Sequence, residues 1–363
     1  MNEQPSKSDN EKNRRLRQLQ DWATTVISAA KGSPKTDLRL DAISGDAGFR
    51  RYFRVVGSEP AMLAVDSPPQ TEKNQAFCHI AQLFRQRGIH APQIYAVDYD
   101  CGFLLIEDMG DVLYKPLLEQ SKQDGQQAHV ALYSQAEHCL LKMQTIPSAD
   151  AGLVAYDAEK LQQEMDLFPE WFVKRLLQQE TSTAIAERLR QVNQLLIQSA
   201  LAQPQVVVHR DFHCRNLLQV QNNSPGVIDF QDAVIGPVTY DLVSLYRDCY
   251  IRWPDAQVTQ WALDYRKQCL KQHVIPNVSE TEFLRWFDWM GLQRHLKVLG
   301  IFARLYLRDD KPGYLRDLPL VMHYTLSVAK KYPAFSEFVS WFESDLLPEA
   351  QKCDWYYDIS NGT

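Results

Sequence analysis

Residues 206–216 read VVVHRDFHCRN, and residues 226–230 read GVIDF. In both stretches a short apolar run ends at polar side chains, which is the pattern of a buried strand that leads into a loop. Asp211 and Asn216 follow the first run, and Asp229 ends the second. We therefore expect the two runs to be partner strands of a hairpin that brings two carboxylates and an amide oxygen together.

These three side chains are oxygen donors of the kind that Mg²⁺ prefers. Phosphoryl transfer needs such a set: one Asp orients and deprotonates the acceptor hydroxyl, and an Asn and an Asp hold Mg²⁺ on the phosphates. The spacing predicts Asp211 as the catalytic base and Asn216 and Asp229 as metal ligands. A single Asp or Asn is most often a turn former or a cap, so the interpretation depends on the conjunction of all three.

The composition is that of a globular protein, with 45% hydrophobic and 23% charged residues in a chain of 363. The chain has 39 basic and 45 acidic residues and a net charge of −6, which argues against nucleic acid or an anionic membrane as a partner, because both require a basic surface. The seven cysteines include no C-x-x-C pair, which excludes the common zinc motifs. The N-terminus is polar, so we expect a cytoplasmic protein, and nothing in the sequence indicates an obligate protein partner.

The secondary-structure pattern changes along the chain. Short β-type runs predominate over residues 37–107, and helical periodicity predominates after them. The pattern predicts an α+β fold with a small β-rich N-terminal lobe and a larger helical C-terminal lobe. We place a flexible tail at residues 1–14, the β-rich lobe at 15–108, and the helical lobe, with the catalytic hairpin, at 109–363.

The motif His209-x-Asp211-x₄-Asn216, followed by Asp229, resembles the catalytic motif of the aminoglycoside phosphotransferase/choline kinase-like family. The resemblance covers about residues 37–310. It implies a protein-kinase-like bilobed fold, in which the N-terminal lobe binds nucleotide and the helical lobe carries the acceptor site. It also implies ATP and Mg²⁺ as cofactors.

The same resemblance implies that Asp241 supports the catalytic loop, together with His209. The chain from Asp229 to Tyr240 is too short for the regulatory activation segment of a protein kinase, and no Ala-Pro-Glu motif follows it. A small-molecule acceptor is therefore favoured over a protein substrate.

The nucleotide is expected at two further segments. Ser44, Gly45 and Gly48 lie between two predicted strands, where a kinase places its phosphate-covering loop, and glycines there let backbone N–H groups approach phosphate. In related kinases the lobe connector offers backbone groups to adenine, which implicates Glu107 and Met109.

One expected cation is missing. The third predicted strand, residues 61–66, lacks the lysine that normally reaches the nucleotide phosphates. Arg51 or Arg54 on the preceding strand could supply the charge, and strand alternation places these two side chains on opposite faces.

Several shorter strings resemble one branch of the family, the bacterial anomeric kinases that act on N-acetylmuramate and N-acetylglucosamine. These strings are residues 49–54, 66–69, 167–171, 227–233 and 291–297. The resemblance implies transfer of the γ-phosphoryl group of ATP to the C1 hydroxyl of an amino sugar, in the recycling of cell-wall sugars.

For the acceptor we expect contacts from Arg210, Asp232 and Arg294. The lactyl carboxylate of N-acetylmuramate favours an arginine partner, whereas a polycationic aminoglycoside requires several carboxylates. Two alternatives stay open from the sequence: an aminoglycoside-modifying kinase, and a catalytically silent nucleotide-binding regulator, which the missing lysine suggests.

Overall fold

The structure is a computed structural model, and it describes residues 7–31, 38–43, 49–125 and 127–359. The chain divides into two compact units, one formed by Met1–Tyr114 and Asn216–Asp232, and one formed by Lys115–Arg215 and Ala233–Thr363. No helix in the described ranges is both long enough and apolar enough to cross a bilayer.

The elements are numbered in chain order. The strands are β1 Leu40–Ile43, β2 Arg51–Val55, β3 Met62–Asp66, β4 Ile94–Asp98, β5 Phe103–Glu107, β6 Gln205–Val208, β7 Leu217–Leu218, β8 Gly226–Val227 and β9 Val234–Pro237. The α-helices are α1 Lys7–Lys31, α2 Asn74–Gln86, α3 Tyr114–Gln123, α4 Ala128–Gln144, α5 Ser148–Ala151, α6 Ala158–Met165, α7 Thr183–Ala202, α8 Tyr240–Tyr246, α9 Asp255–Lys271, α10 Glu280–Asp309, α11 Leu318–Ala329, α12 Ser336–Trp341 and α13 Leu347–Ala350. Shorter π- and 3₁₀-helical segments are Phe168–Leu176, Pro312–Asp317, Pro333–Phe335 and Phe342–Leu346.

The first unit is built on a five-stranded antiparallel sheet in the order β1-β2-β3-β5-β4. Alternate residues of a strand point to opposite faces, and Phe53 and Val55 of β2 lie in the apolar cluster that includes Leu19, Ala23 and Ile27 of α1. Helix α1 therefore covers one face of the sheet.

Helix α1 begins at Lys7, so residues 7–14 are helical where the sequence predicted a flexible tail. Two arginines explain why the helix extends so far. Arg15 and Arg51 both pair with the buried carboxylate of Asp66, each at 2.5 Å, and Arg51 also donates to the backbone carbonyl of Lys12. These bonds fasten the N-terminal helix to the sheet.

The predicted pairing of the catalytic hairpin is wrong. Strand β6 pairs with β9, with Val206 opposite Gly236, whereas β8 pairs with β7, with Val227 opposite Leu217. The two apolar runs are too similar in composition to specify their partners. Strand β8 pairs with β7, which is nearer to it along the chain, whereas β6 pairs with the more distant β9. The division into two units also differs from the single boundary expected between residues 108 and 109. The first unit includes residues 216–232, which lie far along the chain.

The second unit is mainly helical and is organised around α10. Ser279 caps this helix, accepting a hydrogen bond from the Glu282 backbone N–H at 3.1 Å, which satisfies one of the free donors of its first turn. Trp289, Leu292, Leu296 and Leu299 of α10 lie in an apolar cluster with residues of α7, α11 and α12. The same helix carries Arg294 and Lys297, and its rigidity fixes where these two cations lie.

Candidate active site

The chain turns sharply just after β6, and Asp241 holds this corner. The Asp241 carboxylate accepts hydrogen bonds from the backbone N–H groups of His209, at 2.6 Å, and of Arg210, at 2.9 Å. Arg210 has φ 78°, in the left-handed region that a non-glycine residue rarely adopts. Arg294 donates from Nη1 to the Arg210 carbonyl at 2.7 Å, so the backbone N–H and the backbone carbonyl of this strained residue are both bound. Asp241 and Arg294 thus bind the backbone just before Asp211.

Asp211 follows this corner and lies in a positive field. Burial by itself raises the pKa of the Asp211 carboxyl, but the positive charges around it, of which Lys297 contributes most, outweigh burial and lower that pKa to about 2. Burial lowers the pKa of His213 to about 4, so the imidazole is neutral near pH 7. Asp211 is therefore a carboxylate at any physiological pH and can accept a proton.

Glu164 balances two of the cations near Asp211. Its carboxylate pairs with Arg210 and, at 3.1 Å, with Lys297, and it accepts a hydrogen bond from the Tyr156 hydroxyl. Burial raises the pKa of Glu164, but the two cations outweigh it and hold the pKa below its ordinary value. Burial by itself lowers the pKa of Lys297, but its acidic neighbours, which include Glu164, outweigh burial and raise that pKa.

Asn216 and Asp229 lie together in the first unit. They flank the short β7–β8 pair, where the Ile228 N–H donates to the Asn216 carbonyl at 3.1 Å. The Asn216 Nδ2 lies 3.4 Å from Asp229 Oδ2, and Asp229 Oδ1 accepts a hydrogen bond from Gln231 Nε2 at 2.7 Å. Asp229 also has a positive φ, 63°.

This donor set fits Mg²⁺. One carboxylate and one amide oxygen, completed by substrate phosphates and water, are the sparse protein ligation that Mg²⁺ prefers. In the described part of the chain, no group of three His, Cys, Asp or Glu side chains could hold an ion. Asn216 and Asp229 are the residues that would hold the ion.

The two arginines predicted for the phosphates both have carboxylate partners. Arg51 pairs with Asp66 on the sheet face that α1 covers. Arg54 pairs with Asp108 at 2.5 Å and with Asp111 at 2.9 Å, and alternation along β2 places it on the opposite face. The expected separation of the two side chains is present.

The other residues predicted for the nucleotide include Glu107 and three residues of the segment between β1 and β2. These three, Ser44, Gly45 and Gly48, lie outside the described residues. The Glu107 carboxylate pairs with His90 at 3.0 Å and with Arg85 at 2.9 Å. The backbone N–H of Glu107 donates a hydrogen bond to the backbone carbonyl of Gln93.

The other predicted contacts are spread over the two units. Met109 packs close to Gly226 of β8. Asp232, predicted at the acceptor, pairs at 2.7 Å with Lys73 in the first unit. His209, Arg210, Asp211, Asp241 and Arg294 come together in the second unit.

Sequence reasoning missed Glu164, whose carboxylate pairs with Arg210 and Lys297, and it gave no task to Arg50 and Gln231, which lead to Asp229. Glu164 lies far from both of its partners in the chain and carried no signal of its own. Arg50 stands beside Arg51 in the sequence, and only the strand register shows which of the two side chains faces Gln231.

The charge balance around Glu164 predicts the effect of removing one charge. Glu164→Gln leaves Arg210 and Lys297 without a counterion, and we expect the free energy of unfolding at pH 7 to fall by roughly 3 kcal/mol. The control is Glu159→Gln, an exposed glutamate on the same helix. The pKa of Glu164 is lowered in the folded state. The Glu164 carboxylate therefore stabilises the folded state fully above about pH 4.5, and this contribution decreases as the pH falls below that value. Urea unfolding at pH 7 and pH 4 measures both effects, and equal stability of the two variants at pH 7 would contradict the assignment.

This chain is similar to known phosphotransferases. The profile of the phosphotransferase enzyme family matches residues 39–273. An N-acetylmuramate/N-acetylglucosamine kinase from Pseudomonas putida is 44% identical over 86% of this chain and 88% of its own. A kinase of the same name from Neisseria meningitidis serogroup B is 38% identical over 86% of this chain and 91% of its own.

Among solved structures, an ethanolamine kinase from Plasmodium vivax superposes with a TM-score of 0.58, at 13% identity over 93% of this chain and 97% of that one. At that identity the likeness concerns the fold alone. The predicted α+β, protein-kinase-like fold class and the predicted family are confirmed. The chain belongs to the phosphotransferase enzyme family.

Proposed function

We propose that this protein is a kinase that transfers the γ-phosphoryl group of ATP to the anomeric C1 hydroxyl of N-acetylmuramate, N-acetylglucosamine or both. The observation that carries the proposal is the identity to two kinases of that name over most of both chains. The environment of Asp211 supports it, because an ionised carboxylate is the group that such a transfer needs at the acceptor hydroxyl.

In this proposal each residue of the motif has one task. Asp211 accepts the proton of the sugar hydroxyl and orients its oxygen. Asp241 and Arg294 hold the peptide that precedes Asp211, so the carboxylate does not have to be ordered when the substrate binds. Asn216 and Asp229 would hold Mg²⁺, which neutralises negative charge on the phosphates.

The nucleotide contacts are a proposal from the chain's own residues. Backbone groups of Glu107 and Met109 would bind adenine, and the segment with Ser44, Gly45 and Gly48 would cover the phosphates. Arg54 is the better of the two β2 candidates for a phosphate contact, because it lies on the sheet face that α1 leaves open.

The charges around Asp211 favour an anionic acceptor. Arg210, Arg294 and Lys297 bring three cations to this part of the second unit, and Glu164 offsets part of that charge. A polycationic aminoglycoside requires several carboxylates, whereas Arg210 or Arg294 could bind a sugar carboxylate. Asp232 would contact sugar hydroxyls.

The role of Asp211 predicts a selective loss. Asp211→Asn keeps the volume and removes the proton acceptor, so kcat should fall by about 100-fold or more while the Michaelis constant for ATP changes little. Steady-state kinetics measures both constants. Asp354→Asn, at an exposed position, is the matched control. A kcat within a few-fold of the control would show that Asp211 is not the base.

The acceptor is tested by offering N-acetylmuramate, N-acetylglucosamine, glucose and kanamycin separately and recording ADP release. We expect turnover with one or both N-acetyl sugars and none with kanamycin. Turnover with kanamycin alone would assign the protein to the aminoglycoside-modifying kinases. No turnover with any acceptor would favour the catalytically silent regulator.

A further inference from the structure

Arg50 is a buried arginine that has no role in the predicted catalytic motif. Its side chain is only 8% exposed, and its guanidinium lies over the Phe77 ring, 4.7 Å from the centroid. Nε donates to Ser67 Oγ at 3.0 Å and lies 3.1 Å from a Glu72 carboxylate oxygen. Nη1 donates to Gln231 Oε1 at 3.1 Å.

Gln231 connects this arginine to Asp229. Its carbonyl oxygen accepts from Arg50, and its amide group donates to Asp229 Oδ1 at 2.7 Å. The two partners require opposite ends of the amide, so Gln231 has one orientation that satisfies both. Asp229 Oδ2, the other carboxylate oxygen, is the one that lies near Asn216.

The guanidinium of Arg50 is not fully bonded in this arrangement. The Arg50 Nη2 atom is buried and has no hydrogen-bond partner among the residues that the structure describes. A buried guanidinium that is incompletely bonded costs free energy. Asp229 in addition holds a positive φ, a strain that tends to be stored at functional sites.

We propose that Arg50 and Gln231 are positioning residues for Asp229. Arg50 fixes Gln231, and Gln231 fixes one carboxylate oxygen of Asp229, so that the other oxygen is presented for the Mg²⁺–nucleotide complex. The inference rests on the proposed function, because it requires that Asp229 is a metal ligand. Groups that hold a ligand in this way affect metal affinity strongly although they do not touch the ion.

One variant separates positioning from mere structural support. Gln231→Glu keeps the size of the side chain and its contact with Arg50, where it forms an ion pair. It cannot donate to Asp229 Oδ1 and instead places a second negative charge beside it. If Gln231 only anchored its own loop to Arg50, binding with Mg²⁺ and binding without it should change together. If it positions Asp229, metal-dependent binding should be impaired.

The experiment measures binding of a non-hydrolysable ATP analogue by calorimetry, with excess Mg²⁺ and with EDTA, and without any sugar. We expect Gln231→Glu to weaken the Mg²⁺-dependent binding by about 10- to 100-fold while metal-free binding stays within about threefold of the wild type. Arg50→Lys keeps the charge but loses the forked donors. It should also lower the ratio of binding with Mg²⁺ to binding with EDTA. Arg39→Gln, an exposed arginine near β1, is the control, and thermal unfolding verifies that each variant is folded.

An unchanged ratio of binding with and without Mg²⁺ in Gln231→Glu would overturn the proposal. An equal loss under both conditions would also overturn it, since that result indicates structural damage. Failure of the wild type to bind the Mg²⁺ complex would instead contradict the proposed function itself. The acceptor sugar takes no part in this measurement, so the two failures are distinguishable.

Discussion

The second unit's reactive corner depends on the hydrogen bonds that the backbone N–H groups of His209 and Arg210 donate to the Asp241 carboxylate. An arginine in a left-handed conformation is strained, and the strain persists only where surrounding bonds compensate it. Asp241 binds the N–H groups of the corner, and Arg294 binds its carbonyl. The peptide before Asp211 is therefore fixed by the hydrogen bonds of Asp241 and Arg294.

Charge is arranged around this corner so that Asp211 stays ionised in spite of burial. Lys297 and Arg294 of α10 lower its pKa, and Glu164 pairs with Lys297 and Arg210, which reduces the repulsion between these two cations. Burial raises the pKa of Asp241 to about 6, although the bonds from His209 and Arg210 oppose that shift. The two aspartates thus have different environments: Asp211 stays ionised, and Asp241 binds backbone N–H groups.

The local motif was sufficient to predict the family, the fold class and the kinase reaction, because these depend on a few residues at close spacing. The partner of each apolar run was not predictable, since Val206–Val208 could pair equally well with either later strand, and the contacts that select β9 are long-range. Residues 7–14 were misjudged because the bonds that order them come from Arg51 and Asp66, on strands far along the chain.

Side-chain partners were the least predictable part of the site. Arg50, Arg51 and Arg54 stand in one short string, and only the register of β2 decides that Arg51 faces Asp66 and Arg54 faces Asp108. The pairing of Glu164 with Lys297 joins helices whose sequences show ordinary amphipathic patterns. Such contacts are properties of the packed chain, and no local pattern indicates them.

The most direct test of this account is the position of the phosphoryl group on the product. The enzyme is incubated with N-acetylmuramate, ATP and Mg²⁺, and the product is studied by ¹H–³¹P correlation NMR. A phosphorus signal that correlates with the anomeric proton is the predicted result, because Asp211 is proposed to act on the C1 hydroxyl. A phosphorus signal that correlates with protons on C4 or C6 would contradict it.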